Sequence, residues 1–319
     1  MSRRARIIVV GSLNIDFVLA VDRLPSAGET LRGGDLALVP GGKGANQACA
    51  AGRLAGSAVM IGQVGRDPFA PLLVESLRQA NVDTHSIGIS DTPTGCASIY
   101  VTTAGQNSIV ISAGANATLD PQTAIAKLGD LSPDDVVLLQ LEIPMETVEA
   151  VADHAHGIGA RVILDPAPSR ALPPPLLRHI DFLTPNQLEA ADLLGWRSGS
   201  LDNGIGADSA ASEILSLGVQ GVILKLGSSG CMLAYNGGCI HMPAFPVQSL
   251  DTTAAGDVFN GAFATALVEG RPFDDALRFS NAAAALCVTR HGAQSSVPDR
   301  TEVNEFLTNC ETASDVYRQ

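Results

Sequence analysis

Aromatic side chains are scarce in this sequence of 319 residues: one Trp, three Tyr and nine Phe make up 4%, leaving no obvious platform on which a nucleobase would stack. Basic residues are outnumbered 33 to 20, and the formal charge of -13 repels a nucleic-acid backbone and an anionic lipid surface alike. Neither nucleic acid nor a membrane is expected as a partner. Long apolar runs are missing too. Pieces such as Ala282–Val288 fall far short of the roughly 20 residues that span a bilayer. Three arginines precede Ile7-Ile8-Val9-Val10, but four apolar residues are too few for a secretory core of about 7 to 15, so this run reads as a first strand. The six cysteines, at 49, 96, 231, 239, 287 and 310, form no C-x-x-C pair and have no histidines at zinc-finger spacing. They are expected as reduced thiols in a cytoplasmic protein. Repeats and low-complexity tracts are absent.

What is present is apolar and alternating. A content of 46% apolar and 17% charged residues excludes disorder and collagen-like structure, and the length fits two domains or one large α/β domain with an insertion. Strand-length apolar runs occur at Arg6–Val10, Val59–Ile61, Val136–Leu141, Arg161–Leu164, Ile180–Leu183 and Gly221–Leu226. Helical periodicity marks Gly44–Ala55, Met145–His156, Asn186–Leu194, Ala207–Leu217, Ala255–Glu269 and Phe273–Val288. Such alternation predicts a mostly parallel sheet covered on both faces. Leu172-Pro173-Pro174-Pro175 reads as a stiff lead into a helix.

Residues 14–40 and 94–112 break the pattern. Phe17–Val21, Ser98–Thr102 and Ile109–Ile111 are separated by Gly, Asp and Asn turns and read as antiparallel hairpins. They form either a small β lid over the carboxyl ends of the main strands or peripheral hairpins of one domain. On the first view residues 1–13, 41–93 and 113–319 make the α/β domain, and 14–40 with 94–112 make the lid.

Four segments could carry chemistry. Asp251-Thr252-Thr253-Ala254-Ala255-Gly256-Asp257 opens a helix, where unpaired backbone N–H groups and small side chains allow an anion to approach. Asp257 is then either a base beside that anion or a favourable charge at a helix start. Gly41-Gly42-Lys43-Gly44-Ala45-Asn46-Gln47 is no Walker A loop, since Gly44 follows the lysine. It is a bare tight turn or a cradle for a polyhydroxylated ligand. Gly11–Asp16 follows the first strand, so Asn14 and Asp16 are turn residues or sugar-binding groups at a strand's carboxyl end. Lys225–Gly230 ends another strand with backbone donors suited to phosphate. No G-x-G-x-x-G follows the first strand, which disfavours a dinucleotide-dependent dehydrogenase.

In this order the segments resemble the ribokinase branch of the PfkB family of carbohydrate kinases. Between the glycine cluster and the Asp251–Asp257 signature stand Gln140-Leu141-Glu142, Asp165-Pro166-Ala167-Pro168 and Thr184-Pro185-Asn186-Gln187-Leu188-Glu189. The likeness runs from about Ile7 to Phe306. It implies a ribokinase-like three-layer α/β/α sandwich with a mostly parallel central sheet and a small antiparallel β lid. The implied reaction is phosphoryl transfer from ATP to the 5-hydroxyl of D-ribose. By the same resemblance Asp257 is the general base, and the amides of Ala254, Ala255 and Gly256 form the anion hole. Asn14, Asp16, Gly42, Lys43, Gly44, Ala45, Asn46 and Glu142 hold the sugar. Asn186, Lys225, Leu226, Gly227, Ser228, Ser229, Gly230, Gly256 and Asn281 hold the nucleotide. Glu189 acts on Mg²⁺, expected through water. A monovalent cation, K⁺, takes Asp251, Thr253, Ser296 and the carbonyls of Cys287, Arg290 and Gly292. A homodimer paired through the β lid is expected as well.

Two departures stand out: Gln187 where many relatives carry Glu, and Asp165 where Asn is common. With Glu189 present the metal site is expected to survive. Competing readings are a related kinase of deoxyribose, another pentose or a nucleoside, and a sugar-binding regulator on an inactive kinase fold. Asparagine at position 14 favours ribose, because a group facing the 2-hydroxyl should be polar. A regulator would be expected to lose the base or the anion hole, and both are intact in the sequence.

Overall fold

The computed structural model describes residues 4–103, 107–197, 199–201 and 206–316. Positions 1–3, before the first strand, and 104–106, inside the second expected hairpin, lie outside the described residues. The main sheet begins with β1 (Ile7–Val10) and β4 (Ala58–Gly65), flanked by the short β5 (Val82–Asp83) and β6 (Ile87–Ser90). It continues with β9 (Val136–Leu139), β10 (Arg161–Leu164), β11 (Phe182–Leu183), β12 (Gly221–Lys225), β13 (Cys231–Tyr235) and β14 (Gly238–Met242). The spatial order is β14-β13-β12-β11-β10-β9-β1-β4-β5, with β6 also paired to β4. Pairing is parallel from β12 to β5 and turns antiparallel at β12–β13 and β13–β14.

Side chains alternate across this sheet into two cores. Ile7 and Val9 of β1 point into one, Ile8 and Val10 into the other, as the two-residue period of a strand requires. The first core is closed by α1 (Lys43–Ala55), α2 (Phe69–Gln79), α8 (Ala255–Val268), α9 (Phe273–Cys287) and α10 (Arg300–Val316). The second is closed by α3 (Pro121–Leu128), α4 (Met145–Ile158), α5 (Pro174–Leu177), α6 (Gln187–Leu194) and α7 (Ala207–Ser216). The result is the three-layer α/β/α sandwich. No helix among the described residues is long and apolar enough to cross a membrane.

A second sheet holds β3 (Leu36–Gly41), β2 (Asn14–Val21), β7 (Gly95–Thr102) and β8 (Asn107–Ser112), in that order. Each hairpin is antiparallel, but the two meet through a parallel β2–β7 pair. Both β2 and β7 leave the main sheet outward from its carboxyl edge, so their directions agree.

Several elements differ from the sequence pattern. The run from Ile180 narrows to β11 because the N–H groups of His179 and Ile180 bond back to the carbonyls of Leu176 and Leu177, completing the α5 turn. Helix α2 lacks a long apolar stripe, burying only Leu73 and Leu77, and carries Pro71 in its first turn. Helix α3 opens on Pro121 behind Asp120, whose carboxylate caps Thr123 N at 3.0 Å.

Candidate active site

Leaving β1, the chain adds strands outward through β4 to β5, then returns to place β9 on the other side of β1. Ligands of open α/β sheets bind at such a reversal, beyond the carboxyl ends of the strands. Here those ends carry Ser12 after β1, Glu142 after β9, Asp165 after β10, Asn186 after β11 and Lys225 at the end of β12. The Ser12 hydroxyl donates to Glu142 Oε2 at 2.5 Å, and Lys43 N donates to the same oxygen at 3.0 Å.

Helix α1 brings the next groups because it packs unusually close to α8. A methyl group on Gly261 of α8 would sit 2.6 Å from Ala50 Cβ and 2.8 Å from Gln47 O. At this approach Asn46 Nδ2 donates to Asp257 Oδ2 and Gln47 Nε2 to Asp257 Oδ1, both at 3.0 Å. Gln47 Nε2 also reaches Asp165 Oδ2 at 3.0 Å, while Gln140 Nε2 donates to Gln47 Oε1 at 2.7 Å. Lys225 Nζ pairs with the buried Asp165 at 3.0 Å. One amide thus bridges two carboxylates, and one of those carboxylates holds an ammonium. Asn46 Oδ1 is buried with no hydrogen-bond partner, an acceptor that a ligand hydroxyl would satisfy.

Burial raises the Asp257 carboxyl to about 6, with Lys43 opposing the rise and Asp165 adding to it. Burial lowers the Lys43 ammonium, but the surrounding Asp257, Asp165, Glu142 and Glu189 outweigh it and the group stays charged. Asp257 lies in the first turn of α8, just after Ala254, which adopts φ 61 and ψ 4. A left-handed alanine costs about 1 to 2 kcal/mol, and the turn it makes aims the helix start at the cleft. The Ala255 N–H spends a long bond of 3.3 Å on Thr252 O, so it is the partnered member of the expected amide trio. A methyl on Gly256 would lie 3.2 Å from Lys225 Nζ, which brings the ammonium beside those amides.

The expected sugar residues converge on this point. Asn14 is buried, its Oδ1 held by Asn116 Nδ2 at 2.7 Å, and Asn116 also accepts Leu13 N at 2.9 Å. Its remaining polar face is the Nδ2 donor. Asp16 is raised to about 7 by burial and by Glu142. A side chain at Gly41 would overlap the Asp16 carboxylate, and one at Gly42, φ 90, would meet Asn14 N at 2.8 Å. Gly44 and Ala45 face Ser12 through Gly44 N to Ser12 Oγ at 3.2 Å and Ala45 N to Ser12 O at 2.9 Å.

From Lys43 and Asp257 a cleft of about 780 Å³ opens past Glu189, Gly227, Ser228 and Asn281. Leu226, Gly227, Ser228 and Ser229 form a tight turn closed by Gly230, where any side chain would overlap Met242 O. Asn281 Nδ2 donates to the carbonyls of Met242 and Pro243, each at 3.2 Å, so its amide pins the cleft wall. Asn186 caps α6 reciprocally with Glu189: Glu189 N donates to Asn186 Oδ1 at 2.9 Å and Asn186 N to Glu189 Oε2 at 2.8 Å. Gln187 turns its Nε2 to Leu201 O at 2.6 Å, a bond that a glutamate could not donate. Behind the helix start, Asp251 accepts Thr253 N and Gly292 N, each at 2.9 Å. The Cys287 thiol meets Thr253 O at 3.6 Å and Ser296 Oγ at 3.1 Å. The Arg290 side chain points away, to Glu302 at 2.6 Å. The oxygen-rich sets around Glu189 and around Asp251 fit hard cations.

Gln47, Gln140, Asn116, Ser12 and Asp165 were not expected as site residues. Gln47 stands inside the glycine-cluster motif and Asp165 at the end of a strand, which are the signals that point to them.

A buried carboxylate beside the start of a helix, between a cluster of polar side chains and an elongated cleft, defines a phosphotransferase for small hydroxylated substrates. The chain belongs to the pfkB family of carbohydrate kinases, whose model matches residues 4–300. It is 40% identical to the ribokinase of Haemophilus influenzae over 305 residues, 95% of this chain and 99% of that one. A crystal structure of the ribokinase of Thermotoga maritima superposes with a TM-score of 0.86 at 41% identity, covering 95% and 99% of the two chains. The structure of Arabidopsis thaliana ribokinase complexed with ribose and ATP does so with a TM-score of 0.86 at 36% identity, over 96% and 99%.

Proposed function

We propose that the protein transfers the γ-phosphoryl group of ATP to O5 of D-ribose, giving ribose 5-phosphate, ADP and a proton. The observation that carries this reading is the Asp257 carboxylate, gripped by Asn46 and Gln47 at the junction of the sugar cluster and the long cleft. Asn14, Asp16, Asn46 and Glu142, with the backbone of Gly42–Ala45, hold the sugar and present its 5-hydroxyl to Asp257. The carboxylate takes the hydroxyl proton as the oxygen attacks phosphorus, and the β–γ bridging oxygen leaves on ADP. The amides at the α8 start balance charge on the transferring group. Lys225 adds a positive charge beside Gly256, and Asp165 holds it there.

Asn186, the 225–230 turn and the wall that Asn281 braces hold the nucleotide. Glu189 would hold Mg²⁺ near the phosphates, where the ion would supply charge neutralisation. K⁺ fits the Asp251, Thr253 and Ser296 oxygens with the carbonyls of Cys287, Arg290 and Gly292, where it would steady the turn that carries Ala254. We assign residues 14–40 and 94–112 as a lid over the sugar and 1–13, 41–93 and 113–319 as the catalytic domain. The exposed Leu36 and Leu38 of β3 and Ile109, Val110 and Ile111 of β8 support a homodimer paired through that lid. Consumption of ATP fits a cytoplasmic enzyme.

A coupled ADP-release assay across ribose, 2-deoxyribose, arabinose, fructose and adenosine tests the assignment. Ribose should give the highest kcat/KM and a 5-phosphate product by NMR. Faster turnover of 2-deoxyribose or adenosine would overturn it.

A further inference from the structure

Outside the cleft, at the free edge of the main sheet, three unlike ligands converge. Cys239 and His241 are two apart on β14 and so share a face, and Asp208 in the first turn of α7 reaches over them. His241 Nε2 lies 3.4 Å from Cys239 Sγ and 3.3 Å from Asp208 Oδ1. All three ligand atoms are within 4.8 Å of one another. Two donors bound tetrahedrally to zinc, at about 2.0 to 2.3 Å each, stand about 3.3 to 3.5 Å apart. Both short separations match that edge length.

We propose that Asp208, Cys239 and His241 form a surface binding site for a borderline-soft divalent ion of the Zn²⁺ or Co²⁺ type. Thiolate, imidazole and carboxylate together suit such an ion, whereas Mg²⁺ and K⁺ prefer oxygen alone. Binding replaces the Cys239 thiol proton, which leaves to solvent, and water completes the fourth position. The bound ion cross-links β14 to α7, which otherwise meet here through an exposed His–Asp pair of little energetic weight. The bond also braces the strand just before Met242, whose carbonyl receives the Asn281 amide.

Co²⁺ titration of the substrate-free protein, with any affinity tag removed, reads the site directly. One equivalent should raise a thiolate-to-cobalt absorption in the near ultraviolet, absent in Cys239→Ser. His241→Ala and Asp208→Asn should each raise the Co²⁺ concentration for half-saturation about tenfold. Zn²⁺ should raise the melting temperature of the wild type and leave that of Cys239→Ser unchanged. Of the other cysteines Cys49, Cys231 and Cys287 are buried and Cys96 and Cys310 half-buried, so it is the loss of the band in Cys239→Ser that assigns it. With Mg²⁺ and K⁺ present but no Zn²⁺ or Co²⁺, Cys239→Ser should phosphorylate its sugar at the wild-type rate, which separates this site from the proposed reaction. Absence of the band in the wild type, or its persistence in Cys239→Ser, would leave the trio an ordinary surface ion pair and overturn the proposal.

Discussion

Asp257 is held by two side-chain amides from consecutive positions of one helix, and the burial that raises it to about 6 also makes it a better proton acceptor. The sign of the pH dependence follows. Asp257 and Asp16 must both be ionised, so kcat/KM should be flat above about 7, fall about tenfold per pH unit between 7 and 6, and fall about a hundredfold per unit below 6. A rate profile from pH 4.5 to 8.5 checks this, and Asp16→Asn should remove the upper inflection. Asp16 carries a stability consequence as well. A carboxyl raised in the fold contributes stability below its unfolded value of 3.8 that is lost as pH rises through about 7. Asp16→Asn should therefore melt higher than the wild type at pH 8 and equally at pH 4. At this scale the sequence motifs name Asp257, Asn46 and Lys225, but not the way they are joined. Gln47 Nε2 links carboxylates 118 and 210 residues away, and no local spacing reports such a bridge.

Among the elements, α1 and α8 set the geometry through small residues at their crossing. Gly261 lies mid-helix, where alanine is intrinsically better by about 1 kcal/mol. The 2.6 Å approach to Ala50 Cβ, with Gln47 O at 2.8 Å and Ala51 N at 2.9 Å, opposes that gain with largely immovable atoms. Overpacking of this kind costs about 1 to 3 kcal/mol, so the contact should win. Gly261→Ala should lose up to about 2 kcal/mol in urea unfolding, and its kcat should drop because α1 carries Asn46 and Gln47 away from Asp257. Both helices are legible from composition. The turn that joins Thr252 to α8 through a left-handed Ala254 is not, since nothing local favours alanine at φ 61. The pairing of β6 to β4 and the edge hairpin β13–β14 also escape periodicity, being fixed by long-range partners.

At the scale of the whole molecule, the reversal between β9, β1 and β4 brings together groups from the carboxyl ends of five parallel strands. The alternation of apolar runs predicts the parallel sheet, and the two interrupting hairpins predict a second one. The parallel seam β2–β7 is invisible in the sequence, because it joins hairpins about 80 residues apart. If that sheet closes over the sugar, ribose should slow amide exchange in 14–21 and 95–102 by about tenfold or more, while ATP alone should not. Unchanged exchange would make the sheet a passive wall. Phosphoryl transfer at this site depends on Asp257 receiving the hydroxyl proton. Rapid-quench measurement of phosphoryl transfer in Asp257→Asn, with ribose affinity measured by calorimetry on the same preparation, tests it most directly. The transfer rate should fall about 10²- to 10⁴-fold with ribose affinity nearly unchanged, whereas transfer near the wild-type rate would contradict it.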